Sequence, residues 1–201
     1  MQSKDHFAHK SKSWDMNSRR VKNAKSIANL ISKNINLKKD MVVMDLGAGT
    51  GLLSFFISPF VKKIVALDTS PSMLEEFKSK SDQFISETEA IKADILSYTP
   101  QSKFDLIISS MTIHHIEDTP ALFSKLYDIT TDDGSIAIAD LDSEDGSFHS
   151  EDTGVFHHGF DREKIYDIAQ KAGFKDIKIE TASIINKPHK DFSVFLLTAS
   201  K

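Results

Sequence analysis

Apolar and polar positions change rhythm several times along the chain, and each change marks an element. Val21, Ala24, Ala28 and Ile31 recur at helical spacing between Ser18 and Ser32, which predicts an amphipathic helix. The rhythm then shifts to short, continuous apolar runs. MVVMDL (41–46), IVALD (64–68), Ala90 to Ala93, FDLIISS (104–110) and SIAIADL (135–141) read as strands buried on both faces. Helical stretches separate them. LLSFFISPF (52–60) stops with the help of Pro59. SPSMLEEFKSK (70–80) opens on Ser70 as N-cap with Pro71 in its first turn. Another helix starts at Thr119-Pro120-Ala121 and runs through LFSKLYDI, and Asp133-Gly134 predicts a turn before the fifth strand.

Between 142 and 160 the pattern disappears into Asp, Gly, Ser and His, which predicts a loop-like insertion. Asp161 then caps a helix, DREKIYDIAQKA, that Gly173 closes in a left-handed conformation. IKIETASII (177–185) and FSVFLLTAS (192–200), joined by the turn Asn186–Asp191, predict an antiparallel hairpin. Strand alternating with helix means an α/β fold, a mostly parallel sheet with helices on both faces. Such sheets bind ligands outside the carboxyl ends of their strands. The loops after Leu46, Asp68, Ala93, Ser110 and Leu141 are therefore the ones expected to carry chemistry.

The first of these loops is the most informative. In VVMDLGAGTGLL, Gly47, Gly49 and Gly51 fall at every second position between a strand and a helix. Glycine tolerates positive φ and lets a ligand touch backbone, and a helix start offers N–H groups to a carboxylate or phosphate. The dinucleotide fingerprint asks for Gly or Ala at its sixth position, where this chain has Leu52. Asp45, just before the glycines, favours a positive ligand group over a phosphate.

Composition adds mainly exclusions. At 201 residues the chain fits one domain with a substantial core. Its formal net charge of -4 gives no support to a nucleic-acid-binding face. With no cysteine, disulfides, Cys-ligated zinc and a Cys nucleophile are excluded. MQSKDHFAHKSKSWD has no apolar core of a secretory signal, and no run approaches the roughly 18 apolar residues of a membrane span. A cytoplasmic protein with no membrane partner is expected.

Asp45-Leu46-Gly47-Ala48-Gly49-Thr50-Gly51 resembles the first motif of the class I S-adenosylmethionine-dependent methyltransferases, and the resemblance continues over about residues 14–200. It implies a Rossmann-like seven-stranded sheet of order 3-2-1-4-5-7-6, with strand 7 antiparallel. Asp68, ending IVALD, resembles the family's acid that holds the ribose hydroxyls. Asp94-Ile95 resembles the pair that meets the adenine amine and ring face. FDLIISSMTIHHI resembles the strand and segment bordering the methionine end. The cofactor implied is S-adenosylmethionine, with S-adenosylhomocysteine as product. Its implied site comprises Asp45, Gly47, Ala48, Gly49, Gly51, Asp68, Thr69, Met73, Asp94, Ile95, Ser110 and Met111. Trp14 in SKSWD, with Arg19 or Arg20 nearby, resembles an N-terminal cap over the cofactor; packing onto the core is the other reading of Trp14. The division expected is a cap segment and helix at 1–35 and a cofactor-binding domain at 36–201, with 142–160 as a lid-like insertion.

Methyl transfer to a hydroxyl needs a proton acceptor, and histidine is the usual one near neutral pH. Five of the 8 histidines, His114, His115, His149, His157 and His158, follow strand four or five. His115, His157 and His158 are the candidate bases; His114 and His115 can equally be bonded to backbone. Asp140, Asp142, Glu144 and Asp145 with His149 match no established ligand spacing, so no metal is expected. SSMT after strand four is not the Asn-Pro-Pro-Tyr type of motif of amide and adenine-nitrogen methyltransferases. The lack of cysteine closes the covalent cytosine route and disfavours arsenite methylation. A small organic acceptor is the expected partner, and a homodimer is left open. Two rivals also stay open: an NAD(P)-dependent oxidoreductase and a non-catalytic S-adenosylmethionine-binding partner subunit.

Overall fold

A computed structural model describes Asp5, residues 8–149 and residues 154–201. Its centre is a seven-stranded sheet in the order β3-β2-β1-β4-β5-β7-β6. The strands are β1 (Val42–Leu46), β2 (Lys63–Asp68), β3 (Glu87–Lys92), β4 (Phe104–Ser110), β5 (Thr130–Leu141), β6 (Lys175–Lys187) and β7 (Lys190–Ser200). β1 to β5 pair in parallel, and β7 runs antiparallel to β5 and β6. The order and strand directions match the sequence expectation. Because β1 and β4 open in opposite directions across the sheet, a crevice forms between the loops after them.

The helices are α1 (Ser18–Asn34), α2 (Leu52–Ile57), α3 (Pro71–Ser79), α4 (Thr119–Ile129) and α5 (Arg162–Ala172). Alternate strand residues serve opposite faces. Met44 and Leu67 join Leu122, Phe123 and Leu126 of α4 and Ile165 and Ala169 of α5 in one core. Val43, Ile64 and Ile108 join Ile27, Ala28 and Ile31 of α1 and Leu53 and Ile57 of α2 in the other. This two-sided burial explains why the strands carry no polar alternation. Four helix starts are fixed by side chains: Asn17 accepts from Arg19 and Arg20, Ser70 from Met73, Asp118 from Ala121, and Asp161 from Lys164.

Two local expectations need correction. Asp133-Gly134 is not a turn ahead of β5. It lies within a strand that starts at Thr130, where a register irregularity against β4 falls between Phe104 and Leu106. The bulge absorbs the glycine without ending the strand. The final hairpin is also tighter than the sequence suggests. Asn186 pairs with Asp191 and Lys187 with Lys190, so the turn shrinks to Pro188-His189. Among the described residues, no helix is long and apolar enough to cross a membrane.

Candidate functional site

The loop after β1 turns sharply because Gly49 and Gly51 have φ of +55° and +86°. The two glycines do different work. A Cβ on Gly51 would lie 2.6 Å from the Phe77 ring, so that position is closed by packing. A Cβ on Gly49 would meet nothing within 4 Å, so that position presents bare backbone to open space. The glycine N–H groups themselves are already bonded within the fold. Gly47 and Ala48 donate to the Leu67 carbonyl, Gly51 to Ala48, and Gly49 to Asp68 Oδ2 at 2.8 Å. The N–H groups of the three glycines and Ala48 are thus spent within the fold, and Gly49 offers a ligand surface and shape.

Carboxylates ring this surface. Asp45 is 1% exposed and accepts a 2.6 Å hydrogen bond from the Ser54 hydroxyl of α2. Burial pushes its pKa up to about 7, Ser54 pulls it down, and Asp68 adds repulsion. Asp68, at the carboxyl end of β2, accepts from Gly49 N–H and from Ser70 N–H at 2.8 Å each. Burial also raises its pKa against these bonds, and Asp5 adds a smaller push in the same direction. Asp5 itself accepts from the Ser70 hydroxyl and the Ser72 N–H. Beyond β3, Asp94 stands exposed and accepts from Leu96 N–H at 2.8 Å, above a buried Ile95. Thr69 is exposed and Met73 is buried in α3.

Across the crevice, Ser110 ends β4 and Met111 takes a φ of +58°. For a side-chain-bearing residue that conformation is strained, and such strain gathers at ligand edges. Met111 N–H donates to the Ala139 carbonyl at 2.8 Å, which ties the strained residue to β5. At the other border, Trp14 is half-buried, and the Arg20 guanidinium carbon sits 3.6 Å from its ring centroid. Its neighbour Asp15 accepts a 2.5 Å hydrogen bond from Thr50 in the glycine loop and pairs with Lys80. The sequence reading missed Asp15. A carboxylate next to the tryptophan was visible, but nothing local announced its reach to Thr50.

The histidines gather after β4 and β5, yet they separate into different roles. His157 Nε2 lies 3.0 Å from the Ile116 carbonyl and 3.1 Å from that of Glu117, so it carries a proton and donates it. His158 is exposed, with Nδ1 3.6 Å from Glu144. His115 Nδ1 lies 3.1 Å from the Gly154 carbonyl. His114 is 1% exposed, and its Nδ1 is 2.7 Å from Asp140 at the end of β5. Asp140 repeats the signature of Asp45 and Asp68, an apolar strand ending in an acid, so the sequence held a signal for it. Among the described residues, no group of three or more His, Asp or Glu side chains can hold a metal ion. A cleft of about 360 Å³ beside α1 and α2, lined by Ala28, Phe55, Phe60 and Ile85, contains none of these acids.

The strand order, the crevice and the strand-end acids define a Rossmann-like fold of the methyltransferase type. A family model for the methyltransferase domain matches residues 16–179, and the chain belongs to this family of class I S-adenosylmethionine-dependent methyltransferases. It is 29% identical over 167 residues to an uncharacterized methyltransferase of Schizosaccharomyces pombe, covering 75% of this chain and 57% of that protein. Over 104 residues it is 36% identical to malonyl-[acyl-carrier protein] O-methyltransferase 1 of Ilyobacter polytropus, covering 51% of this chain and 38% of that protein. The chain thus spans about half the length of the curated relatives it matches. Among solved structures, magnesium protoporphyrin IX methyltransferase from Synechocystis, with S-adenosylmethionine bound, superposes with a TM-score of 0.68 at 18% identity, covering 97% of this chain and 84% of that one.

Proposed function

We propose that this chain binds S-adenosylmethionine along the glycine edge and promotes methyl transfer to a small organic acceptor in the cytoplasm. One observation carries the reading: the buried carboxylate of Asp45 and the half-buried carboxylate of Asp68 lie at the loop whose Gly49 presents bare backbone, and Asp68 accepts the Gly49 N–H. Both have raised pKa values, so the site welcomes a cation and resists another anion. S-adenosylmethionine, when bound, supplies a methyl group activated by a positively charged sulfur. NAD(P) would instead bring a pyrophosphate toward the same carboxylates, over glycines whose N–H groups are already spent.

The chain's own residues divide the work of holding. Each Asp68 oxygen accepts one backbone N–H and, as a carboxylate oxygen, keeps a second lone pair for a ribose hydroxyl. Asp94 keeps an exposed oxygen for the adenine amine, and Ile95 supplies apolar surface beneath. Asp45 offers charge to the ligand's ammonium from below the turn. The malonyl and magnesium protoporphyrin IX acceptors named for the two relatives are organic groups, which supports a small organic acceptor here.

Calorimetry with S-adenosylmethionine, S-adenosylhomocysteine and NAD tests the reading. The first two should bind and NAD should not. Asp68→Ala should weaken S-adenosylmethionine by about 1.5–3 kcal/mol, the scale of charged hydrogen bonds. Binding of NAD alone would replace this function with the oxidoreductase.

A further inference from the structure

A buried nitrogen on the acceptor side of the crevice has no use in the folded chain. His114 follows β4 in a single turn of 3-10 helix, Ile113–His115, and its ring is 1% exposed. Asp140, fully buried at the end of β5, holds it twice. One carboxylate oxygen lies 2.7 Å from Nδ1, and the other accepts the His114 N–H at 3.3 Å. The first oxygen also accepts the Leu141 N–H at 2.7 Å, so the carboxylate cannot swing away. A carboxylate at Nδ1 fixes the tautomer, with the proton on Nδ1 and a bare lone pair on Nε2. That Nε2 is buried and has no hydrogen-bond partner among the described residues.

Buried polar atoms are almost always paired, and an orphan calls for a ligand or a role. Two imidazoles flank it, with ring centroids 4.2 Å away for His115 and 5.0 Å for His149. Burial, then repulsion from His114, His115 and Lys187, lowers the pKa of His149 to about 4, so this neighbour is neutral near pH 7. The cover is the segment after β5. Phe156 N–H and His157 N–H donate to the His114 carbonyl, and the Gly154 carbonyl meets His115. The orphan thus sits where the strand ends meet ligand, beneath Gly154, Phe156 and His157.

We propose that His114, poised by Asp140, is the proton acceptor for the methyl acceptor, which reaches Nε2 when the covering residues 154–157 lift. The proposal rests on the methyltransferase reading above. The acceptor's hydroxyl or amine heteroatom bonds to the methyl carbon as the carbon–sulfur bond breaks, its electron pair staying on sulfur. The acceptor's proton passes to His114 Nε2, and Asp140 stabilises the imidazolium before solvent takes the proton. His115, His157 and His158 then shape or cover the pocket without taking the proton.

Nitrogen NMR of the ¹⁵N-labelled protein at pH 7.5 tests the poised state without any substrate. His114 should show a protonated Nδ1 and a bare Nε2; a proton on Nε2, in the neutral or charged ring, overturns the proposal. For transfer, methyl-labelled S-adenosylmethionine is incubated with a small-metabolite extract. His114→Asn keeps an amide donor toward Asp140 and removes the base. It should cut transfer by about 100-fold or more while cofactor affinity measured by calorimetry stays within roughly twofold. Undiminished transfer by a folded variant overturns the proposal and leaves the methyltransferase reading standing. No transfer by the wild-type chain despite bound cofactor overturns both. Should the variant not fold, the NMR result alone decides.

Discussion

The two sides of the crevice are built on different principles. On the β1–β3 side, the candidate ligand residues sit close to their strand ends, and the carboxylates are fixed locally: Asp68 by the backbone of Gly49 and Ser70, Asp94 by that of Leu96, and Asp45 by the Ser54 hydroxyl. On the β4–β5 side, the polar groups belong to a 3-10 turn and a long irregular segment, and they hold one another across the chain: His114 to Asp140, His115 to Gly154, His157 to Ile116. Short turns on strand ends are precise and rigid. A long segment held by side chains can open. A cofactor common to many enzymes suits the first construction, and an acceptor peculiar to one suits the second.

The largest expected effect breaks the rigid side. Gly51→Val would force φ +86° on a β-branched residue and drive its Cβ into the Phe77 ring at 2.6 Å. Backbone strain and overpacking together should cost about 4 kcal/mol, read by chemical denaturation. Gly49→Ala provides the contrast. It meets nothing, so about 1–2 kcal/mol of left-handed strain is its whole cost to the fold. Its damage should fall on S-adenosylmethionine binding, because the methyl group occupies the open face. Equal loss of stability in the two variants would dissolve the distinction between a packing glycine and a ligand glycine.

Next is the charge beneath the turn. Asp45 has a folded pKa of about 7 against an ordinary value of 3.8, so the folded state holds its proton where the unfolded state has lost it. Stability should therefore fall as pH rises from about 4 to about 7 and level off above, by roughly 4 kcal/mol in total. Asp45→Asn should remove that decline. A cation bound beside Asp45 favours its ionised form, so cofactor binding below pH 7 should release a proton and tighten toward neutral pH. Calorimetry in buffers of differing ionisation enthalpy reads this directly; no proton release at pH 6 would place the cation elsewhere.

The same division explains what the sequence disclosed. The sheet order and the rigid side were legible because their signals are local: apolar runs, strand-end acids and glycines at alternate positions. Even so, the alternate glycines did not reveal that their N–H groups bond to Leu67, Ala48 and Asp68. That depends on β2 lying beside β1. The Asp133-Gly134 bulge was misread because a dipeptide typical of turns was absorbed by pairing with β4, a partner distant in sequence. On the β4–β5 side, five histidines were visible, but their roles depended on which carbonyl or carboxylate each one met. His114 and His115 are adjacent in sequence, yet Asp140 holds one and Gly154 meets the other.

The smallest effect belongs to His157, and it sharpens the comparison most finely. Its Nε2 donates to carbonyls at 116 and 117 and lies 3.3 Å from the Thr119 hydroxyl, while its own N–H meets the His114 carbonyl at 3.2 Å. A ring nitrogen bonded to carbonyls must keep its proton, so it holds the segment down and cannot take a proton there. His157→Ala removes that tie and should cost about 1 kcal/mol, the net worth of a hydrogen bond. His157→Gln, which can return an N–H donor, should restore part of it. Because the tie fastens the chain at Phe156 and His157 and not the glycine edge, S-adenosylmethionine affinity should be unchanged in both variants. Hydrogen exchange should quicken at Phe156, whose N–H bonds to His114, and not at Gly49. Faster exchange at both would mean that the two sides of the crevice move together, and that the acceptor's cover cannot lift without loosening the cofactor.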